Sequence, residues 1–163
     1  MKITGGPIEQ GVVVGNAYDK YGAKNPVARR LMKGFRDALS DFVTRSNQNE
    51  IHDIGCGEGH WVIQWNLEGM AARGSDFSEQ AIELARRNAA SEGVPPEVFS
   101  RRGICDLEPG LDSADLIVCL EVLEHLERPE DGLEALRRVA TDYVILSVPR
   151  EPLWRLLNMA RGK

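Results

Sequence analysis

The sequence predicts an α/β fold built on a doubly wound, mostly parallel sheet with helices on both faces. From about residue 50 onward, segments with helical periodicity alternate with short apolar segments, which is the pattern of successive βαβ units. Two of the apolar segments, 116–120 and 143–146, are continuous apolar runs, as expected of parallel strands covered on both faces. A glycine-rich turn over 55–59 directly follows the first predicted strand, near 51–54.

The N-terminal part precedes this alternation. Residues 1–17 are rich in glycine and lack a long period, so we expect a loosely held arm with a short strand at 11–15. The first helix should begin at Pro26, after a capping Asn25, because proline suits the first helical position. A polar run over 44–50 should link this helix to the sheet. Apolar residues at steps of three and four predict one buried helix face, formed by Val27, Leu31, Phe35, Leu39 and Phe42.

The remaining elements follow in order. Ser78 is the predicted N-cap of one helix, which should bury Ile82, Ala85 and Ala89. Pro129 opens another helix, which should bury Leu133, Leu136 and Ala140. Right-handed crossovers would give a Rossmann-like sheet. We predict strands near 51–54, 71–76, 97–102, 115–120 and 143–148, and helices at 58–68, 78–91 and 129–140.

Composition fits one globular domain over 1–163, with 42% hydrophobic and 28% charged residues. No apolar run approaches the roughly 20 residues of a membrane span, and the N-terminus lacks the apolar core of a signal peptide, so we expect a cytoplasmic location. Three cysteines, an odd number without a Cys-x-x-Cys pair, suggest neither a disulfide framework nor a zinc knuckle. The net charge of −5 argues against nucleic acid as a partner.

The glycine turn is the most informative motif. Gly55, Gly57 and Gly59 lack a Cβ, so a ligand can approach the amides of the loop. Asp53, just before the turn, would repel a pyrophosphate but would pair with an ammonium group. A dinucleotide fingerprint needs glycine at position 60, where this chain has His60, and no P-loop ending follows. These features disfavour a nicotinamide-dependent dehydrogenase and favour a cofactor that carries an amino acid and a sulfonium. We interpret His52 and His60 as structural.

Four segments in this order resemble the class I S-adenosylmethionine-dependent methyltransferases. They are Ile-His-Asp-Ile-Gly-Cys-Gly-Glu-Gly (51–59), Gly-Ser-Asp-Phe-Ser-Glu-Gln-Ala-Ile (74–82), Ile-Cys-Asp-Leu (104–107) and Ala-Asp-Leu-Ile-Val-Cys-Leu-Glu-Val-Leu-Glu-His-Leu (114–126). The resemblance spans roughly residues 50 to 150 and implies S-adenosylmethionine as the cofactor.

The resemblance also implies roles for individual residues. Asp53 and the loop amides would hold the methionine end of the cofactor, Asp76 the ribose hydroxyls, and Phe77 and Asp106 the adenine. For Asp76 and Asp106 the alternative role is a helix cap or a turn residue. Tyr18 and Tyr21 resemble an aromatic lid, with packing at a helix entrance as the alternative. The whole implied cofactor set is Asp53, Gly55, Cys56, Gly57, Gly59, Asp76, Phe77, Cys105, Asp106, Leu107, Leu120, Glu121, Tyr18 and Tyr21.

The segment 121–125, Glu-Val-Leu-Glu-His, permits two interpretations. If it is helical, Glu121, Glu124 and His125 are neighbours and could bind one divalent ion such as Mg²⁺. This pattern resembles ubiquinone-pathway O-methyltransferases and small-RNA 2′-O-methyltransferases, although no later histidine follows His125. Alternatively, Glu121 contacts the cofactor, His125 is a general base or a packing residue, and no metal binds.

We therefore predict methyl transfer to a small-molecule or lipid-like acceptor, at oxygen, with His125 and Glu121 as catalytic residues. The alternatives are a cofactor-binding module without catalysis and a metal-assisted RNA 2′-O-methyltransferase. Relatives usually carry two further strands that form a C-terminal hairpin. This sequence stops too early for that hairpin, so it is either a minimal variant or a chain cut before its C-terminal part. We favour the second, because a free fifth strand would leave an unpaired edge. The oligomeric state stays open.

Overall fold

The computed structural model describes residues 8–9, 12–13 and 26–149, without the side chains of residues 27 and 28. The strands are β1 (Ile8–Glu9), β2 (Val12–Val13), β3 (Glu50–Ile54), β4 (Ala71–Asp76), β5 (Phe99–Arg101), β6 (Ala114–Leu120) and β7 (Ala140–Ser147). The helices are α1 (Pro26–Ser46), α2 (His60–Leu67), α3 (Glu79–Glu92) and α4 (Pro129–Val139). Short 3₁₀ turns lie at Pro96–Val98, Ile104–Asp106 and Leu123–His125.

Strands β3 to β7 form one parallel sheet in the order β5-β4-β3-β6-β7. The chain enters at the central strand β3, proceeds outward to β5, and then returns to the other side of β3 as β6. The strand order therefore reverses between β3 and β6, which confirms the predicted doubly wound sheet. Separately, β1 and β2 form an antiparallel pair, and β2 lies within the strand predicted at 11–15.

Two apolar clusters lie on opposite faces of the sheet, as the alternation along β6 demonstrates. Leu116 and Val118 belong to the cluster that contains residues of α1, α2 and α3. Ile117 and Cys119 belong to the cluster that contains residues of α4. Because successive strand residues point to opposite faces, helices cover both sides of the sheet.

Local sequence signals explain where the helices begin and end. The Ser78 hydroxyl accepts a hydrogen bond from the Ala81 amide at 3.2 Å, so the predicted N-cap of α3 is confirmed. Gly93 ends the same helix with a positive φ of 77°, which glycine adopts without a Cβ penalty. Pro129 is the first residue of α4, as predicted. The predicted Asn25 cap of α1 lies outside the described residues.

Some predicted buried faces are wrong. Leu31 and Phe42 on α1 are 48% and 53% exposed, and Leu133 on α4 is 45% exposed. The predicted Leu39 is buried and Phe35 is half-buried against the same cluster, but Val43 is buried in place of Phe42, so the buried face is rotated from the predicted one. Helix α1 also continues to Ser46, into the run predicted to be a linker, and α4 ends before Ala140, which is half-buried in β7.

The prediction that the run over 143–146 is covered on both faces is also wrong. Tyr143, Val144 and Leu146 are substantially exposed, because β7 is the edge strand of the described sheet and pairs with β6 alone. The structure does not describe residues beyond Pro149, so the predicted lack of a C-terminal hairpin stays a prediction. None of the helices that the structure describes is both long and apolar enough to cross a bilayer.

Candidate functional site

The glycine turn between β3 and α2 is formed as predicted. Gly55, Gly57 and Gly59 have φ values of 80°, 52° and 82°, which side chains with a Cβ rarely adopt. A Cβ on Gly55 would lie 2.3 Å from Cγ2 of Val122, and one on Gly59 would lie 2.5 Å from Cζ of Phe99. Both backbone conformation and close packing therefore require glycine at positions 55 and 59.

The turn is anchored to the neighbouring strand β4. The Ser75 carbonyl accepts hydrogen bonds from the amides of Gly55 at 2.8 Å and Cys56 at 3.0 Å. Behind it, His52 Nδ1 donates to the Asp112 carbonyl at 2.8 Å, so its Nε2 accepts from the Ser75 hydroxyl at 2.9 Å. Burial lowers the pKa of His52, which keeps the ring neutral. These contacts support the structural interpretation of His52.

Asp53 is the most unusual group at this end of the sheet. Its side chain is 3% exposed, and within residues 26–149 no hydrogen-bond donor or cationic side chain pairs with the carboxylate. Burial, together with the negative charge of Asp76, raises the pKa of Asp53 to about 7 from its ordinary value of 3.8. A cation placed here would supply the partner that the described protein does not.

Asp76 ends β4 and faces the glycine turn. Its Oδ2 accepts from the Gly57 amide at 3.0 Å, and its Oδ1 accepts from the Ser78 amide at 2.9 Å. The side chain is thus a turn residue, as the alternative interpretation held. Asp76 therefore links the glycine turn to the start of α3.

Phe77 and Asp106 come together around Gly103. A Cβ on Gly103 would lie 3.0 Å from Oδ2 of Asp106 and 3.4 Å from Cβ of Phe77. The Arg102 guanidinium donates to the Asp106 carbonyl at 3.0 Å and holds the 3₁₀ turn that carries it. Cys105 is exposed, whereas the Leu107 side chain lies in the apolar core, so only its backbone is available to a ligand.

At the end of β6, Leu120 is half-buried and Glu121 has a φ of 58°. The Glu121 amide donates to the Ser147 carbonyl at 3.0 Å, and the Ser147 hydroxyl donates to Oε1 of Glu121 at 3.0 Å. Ser147, at the end of β7, is a residue that sequence reasoning missed. Ser147 could have been found only from its position opposite Leu120 in the β6–β7 pair, and the sequence does not specify that register.

The prediction of a helical turn over 121–125, on which the metal site depended, is wrong. The backbone of Glu121 is in the left-handed region, Val122 has a φ of −117°, and the 3₁₀ turn begins only at Leu123. Glu124 and His125 are exposed. Within the described residues, no group of three His, Cys, Asp or Glu side chains could hold a metal ion. These residues therefore do not fit a divalent cation. The predicted lid residues Tyr18 and Tyr21 lie outside the described part of the chain.

The described site residues lie at the carboxyl end of the sheet, around the point between β3 and β6 where the strand order reverses. Open α/β sheets bind ligands at such a point. The chain belongs to a methyltransferase family: a family model described as "Methyltransferase domain" matches residues 52–144.

Curated relatives include ubiquinone biosynthesis O-methyltransferases. The one from Cupriavidus pinatubonensis is 33% identical over 107 residues, which cover 64% of this chain and 41% of the relative. The one from Photobacterium profundum is 26% identical over 123 residues, which cover 66% of this chain and 52% of the relative. The chain thus spans only 41% and 52% of the length of these two relatives.

Solved structures share the fold. The magnesium protoporphyrin IX methyltransferase of Synechocystis PCC 6803, with bound S-adenosylhomocysteine, has a TM-score of 0.68 and 23% identity. That match covers 86% of this chain and 68% of the other. A protein from Pyrococcus horikoshii OT3 has a TM-score of 0.66 and 22% identity, covering 85% of this chain and 63% of the other.

Proposed function

We propose that this chain binds S-adenosylmethionine and transfers its methyl group to a small-molecule or lipid-like acceptor, at oxygen. The observation that carries the proposal is the buried Asp53 carboxylate, which has no partner in the described part of the chain and lies at the strand-order reversal beside the glycine turn. An amino-acid ammonium group would pair with this carboxylate, whereas the pyrophosphate of a dinucleotide would be repelled.

The other site residues suit the same cofactor. Asp76, which bonds the amides of Gly57 and Ser78 at the edge of the glycine turn, would accept from the ribose hydroxyls, as the resemblance implies. Phe77 and Asp106, which flank Gly103, offer an apolar surface and an acceptor for the adenine amino group. Solved relatives carry S-adenosylmethionine or S-adenosylhomocysteine, which supports this assignment.

The names of relatives guide the choice of acceptor. Matched proteins are O-methyltransferases of ubiquinone biosynthesis, and one structural neighbour is a protoporphyrin methyltransferase. We therefore propose a small or lipid-like acceptor. Nucleic acid is disfavoured because a net charge of −5 opposes binding to phosphates. A cytoplasmic location remains part of this proposal.

Alignment is the main catalytic demand on these residues. When bound, S-adenosylmethionine would supply an electrophilic methyl group whose sulfur departs as a neutral thioether. Asp53 and the glycine-turn amides would fix the methionine end, and so the direction of the methyl group. The exposed His125, just beyond β6, would take the proton that the acceptor hydroxyl releases. Glu121 would contact the cofactor without a metal.

Calorimetric titration with S-adenosylhomocysteine tests the proposal, with NADH as the control ligand and magnesium present or absent. We expect micromolar binding, no binding of NADH, and no effect of magnesium. Asp76→Ala should abolish binding, because the variant loses both the ribose acceptor and the anchor of the Gly57 amide. Binding of NADH in place of S-adenosylhomocysteine would overturn the proposal. Cofactor binding without methyl transfer to any acceptor would instead identify a binding module.

A further inference from the structure

Glu121 is held in a backbone conformation that glutamate rarely adopts. It is one of two described non-glycine residues with positive φ, and the other, Asn47, lies in the turn after α1. Asparagine adopts this region readily, whereas glutamate does not. Such strain persists where surrounding contacts fix it, and it concentrates at functional sites.

Ser147 supplies two of the fixing contacts. Its carbonyl accepts the Glu121 amide at 3.0 Å, and its hydroxyl donates to Oε1 of Glu121 at 3.0 Å. A third contact comes from the next residue, because Val122 packs closely against Gly55 of the glycine turn. Glu121 is thus tied to β7 on one side, and its neighbour contacts the turn on the other.

These contacts leave half of the carboxylate available. Oε2 of Glu121 has no hydrogen-bond partner within residues 26–149, and no lysine, arginine or histidine there forms an ion pair with the carboxylate. The side chain is half-buried at the end of β6, beside the strand-order reversal. Asp53 lies on the neighbouring strand β3, opposite Val118 of β6. A cationic ligand between these strand ends would meet negative charge from both sides.

We infer that Ser147 is a positioning residue that holds the Glu121 carboxylate at the cofactor end of the sheet, so that the site favours a positively charged ligand over a neutral one. The inference rests on the proposed function and adds a selectivity to it. S-adenosylmethionine carries a sulfonium, whereas S-adenosylhomocysteine, the product, carries a neutral thioether. A carboxylate fixed in this site would therefore strengthen substrate binding relative to product binding and assist product release.

The same strand pair provides a matched control. Thr141 and Asp115 form a second hydroxyl–carboxylate bond between β7 and β6, with Oγ1 to Oδ1 at 3.0 Å. This pair lies at the opposite, amino end of the two strands. Thr141→Val removes the same kind of bond without touching the proposed site.

The test measures dissociation constants for S-adenosylmethionine, S-adenosylhomocysteine and sinefungin, an analogue with a cationic amine near the sulfur position. For Glu121→Gln we expect the preference for the two charged ligands over S-adenosylhomocysteine to fall about ten-fold, because the charge is lost. For Ser147→Ala we expect a fall of about three- to ten-fold, because the carboxylate is no longer held. Ser147→Thr, which keeps the hydroxyl, and Thr141→Val should retain the wild-type preference.

The outcomes separate the two claims. If the wild-type chain binds none of the three ligands, the proposed function fails. If it binds them but Glu121→Gln leaves the preference unchanged, the inference alone is overturned, and this holds even when Ser147→Ala does not fold. Equal weakening of all three ligands in Ser147→Ala, or failure of Ser147→Thr to restore the preference in a folded chain, would also overturn it.

Discussion

The parallel sheet carries acidic residues at both of its ends, but their surroundings differ. At the amino end, Glu50 pairs with Arg73 at 2.8 Å, and Asp115 accepts from Thr141 at 3.0 Å. At the carboxyl end, neither Asp53 nor Glu121 has a cationic partner among the described residues. The amino end thus contains an ion pair, whereas at the carboxyl end a cationic partner would come from the ligand under the proposed function.

Glycines show the same contrast. Gly55 and Gly59, at the carboxyl end, combine positive φ with neighbours that a Cβ would strike. Gly69 and Gly110, in the turns that lead to the amino ends of β4 and β6, also have positive φ, but a Cβ there would meet nothing within 4 Å. The amino-end glycines serve the turn alone, while those at the carboxyl end also permit close packing.

The largest expected effect comes from Gly55→Ala, compared with Gly69→Ala. Both variants force alanine into a left-handed conformation, at about 1 kcal/mol each. Only Gly55→Ala also pushes against Val122, so we expect about 3 kcal/mol of lost unfolding free energy and loss of S-adenosylhomocysteine binding. Urea unfolding and calorimetry would measure both. Equal effects of the two substitutions would show that close packing at Gly55 is unimportant.

The Asp53→Asn substitution should have the second-largest effect. We expect S-adenosylhomocysteine to bind at least about ten-fold more weakly, because an ammonium group loses its charged partner. At pH 8 the unfolding free energy of the ligand-free variant should not fall, because a buried charge has been removed. Asp115→Asn at the amino end is the control and should bind normally. An unchanged dissociation constant for Asp53→Asn would contradict the assigned ammonium site.

A pH series should show a smaller, graded effect. Since the pKa of Asp53 is raised to about 7, raising the pH through this value ionises the carboxylate and should tighten S-adenosylhomocysteine binding several-fold between pH 6 and 8, on the order of the linkage expected for one group. Asp53→Asn should remove this dependence.

Stability of the ligand-free chain should change in the opposite direction. The folded-state pKa of Asp53 lies above its ordinary value of 3.8, so between about pH 4 and 7 the folded chain binds more protons than the unfolded chain. The contribution of Asp53 to the unfolding free energy is therefore present at low pH and is lost as the pH rises to about 7. Thermal melts of wild type and Asp53→Asn across this range would isolate it, and a wild-type curve parallel to the variant's would contradict the raised pKa.

Thr141→Val should have the smallest effect. It removes the hydroxyl that donates to Asp115 at 3.0 Å and lies 3.3 Å from the Ala114 carbonyl, so we expect a loss of about 0.5–1 kcal/mol in unfolding free energy. Binding of S-adenosylhomocysteine should stay at the wild-type value, as calorimetry would test. A measurable loss of binding would mean that the two ends of the sheet are coupled.

Local sequence signals predicted most of the fold. The strand predicted at 71–76 has those bounds, and the caps Ser78 and Pro129 are confirmed. The glycine turn and Asp53 could also be placed, because a strand followed by alternating glycines fixes the local geometry regardless of what packs around it. The ligand roles of these residues stay predictions.

Features that depend on tertiary pairing could not be predicted. The exposure of Leu31 and Leu133 follows from how α1 and α4 rotate against the sheet, and the apolar pattern alone does not specify that rotation. Ser147 reaches Glu121 only because β6 and β7 pair in one register across 26 residues of separation. The left-handed φ of Glu121 has no sequence signature, and it overturned the helical turn on which the metal site depended.

The unpaired Asp53 also affects the resistance of the protein to proteolysis in the cell. At neutral pH the ligand-free chain contains a buried acid that lacks a partner among its described residues, which lowers its folding stability. A cationic ligand that pairs with this acid would remove that cost. Ligand that binds only the folded state adds stability by mass action. Under the proposed function, the supply of S-adenosylmethionine would set the unfolded fraction that proteases encounter, and abundance of the protein in a cell would track abundance of its methyl donor.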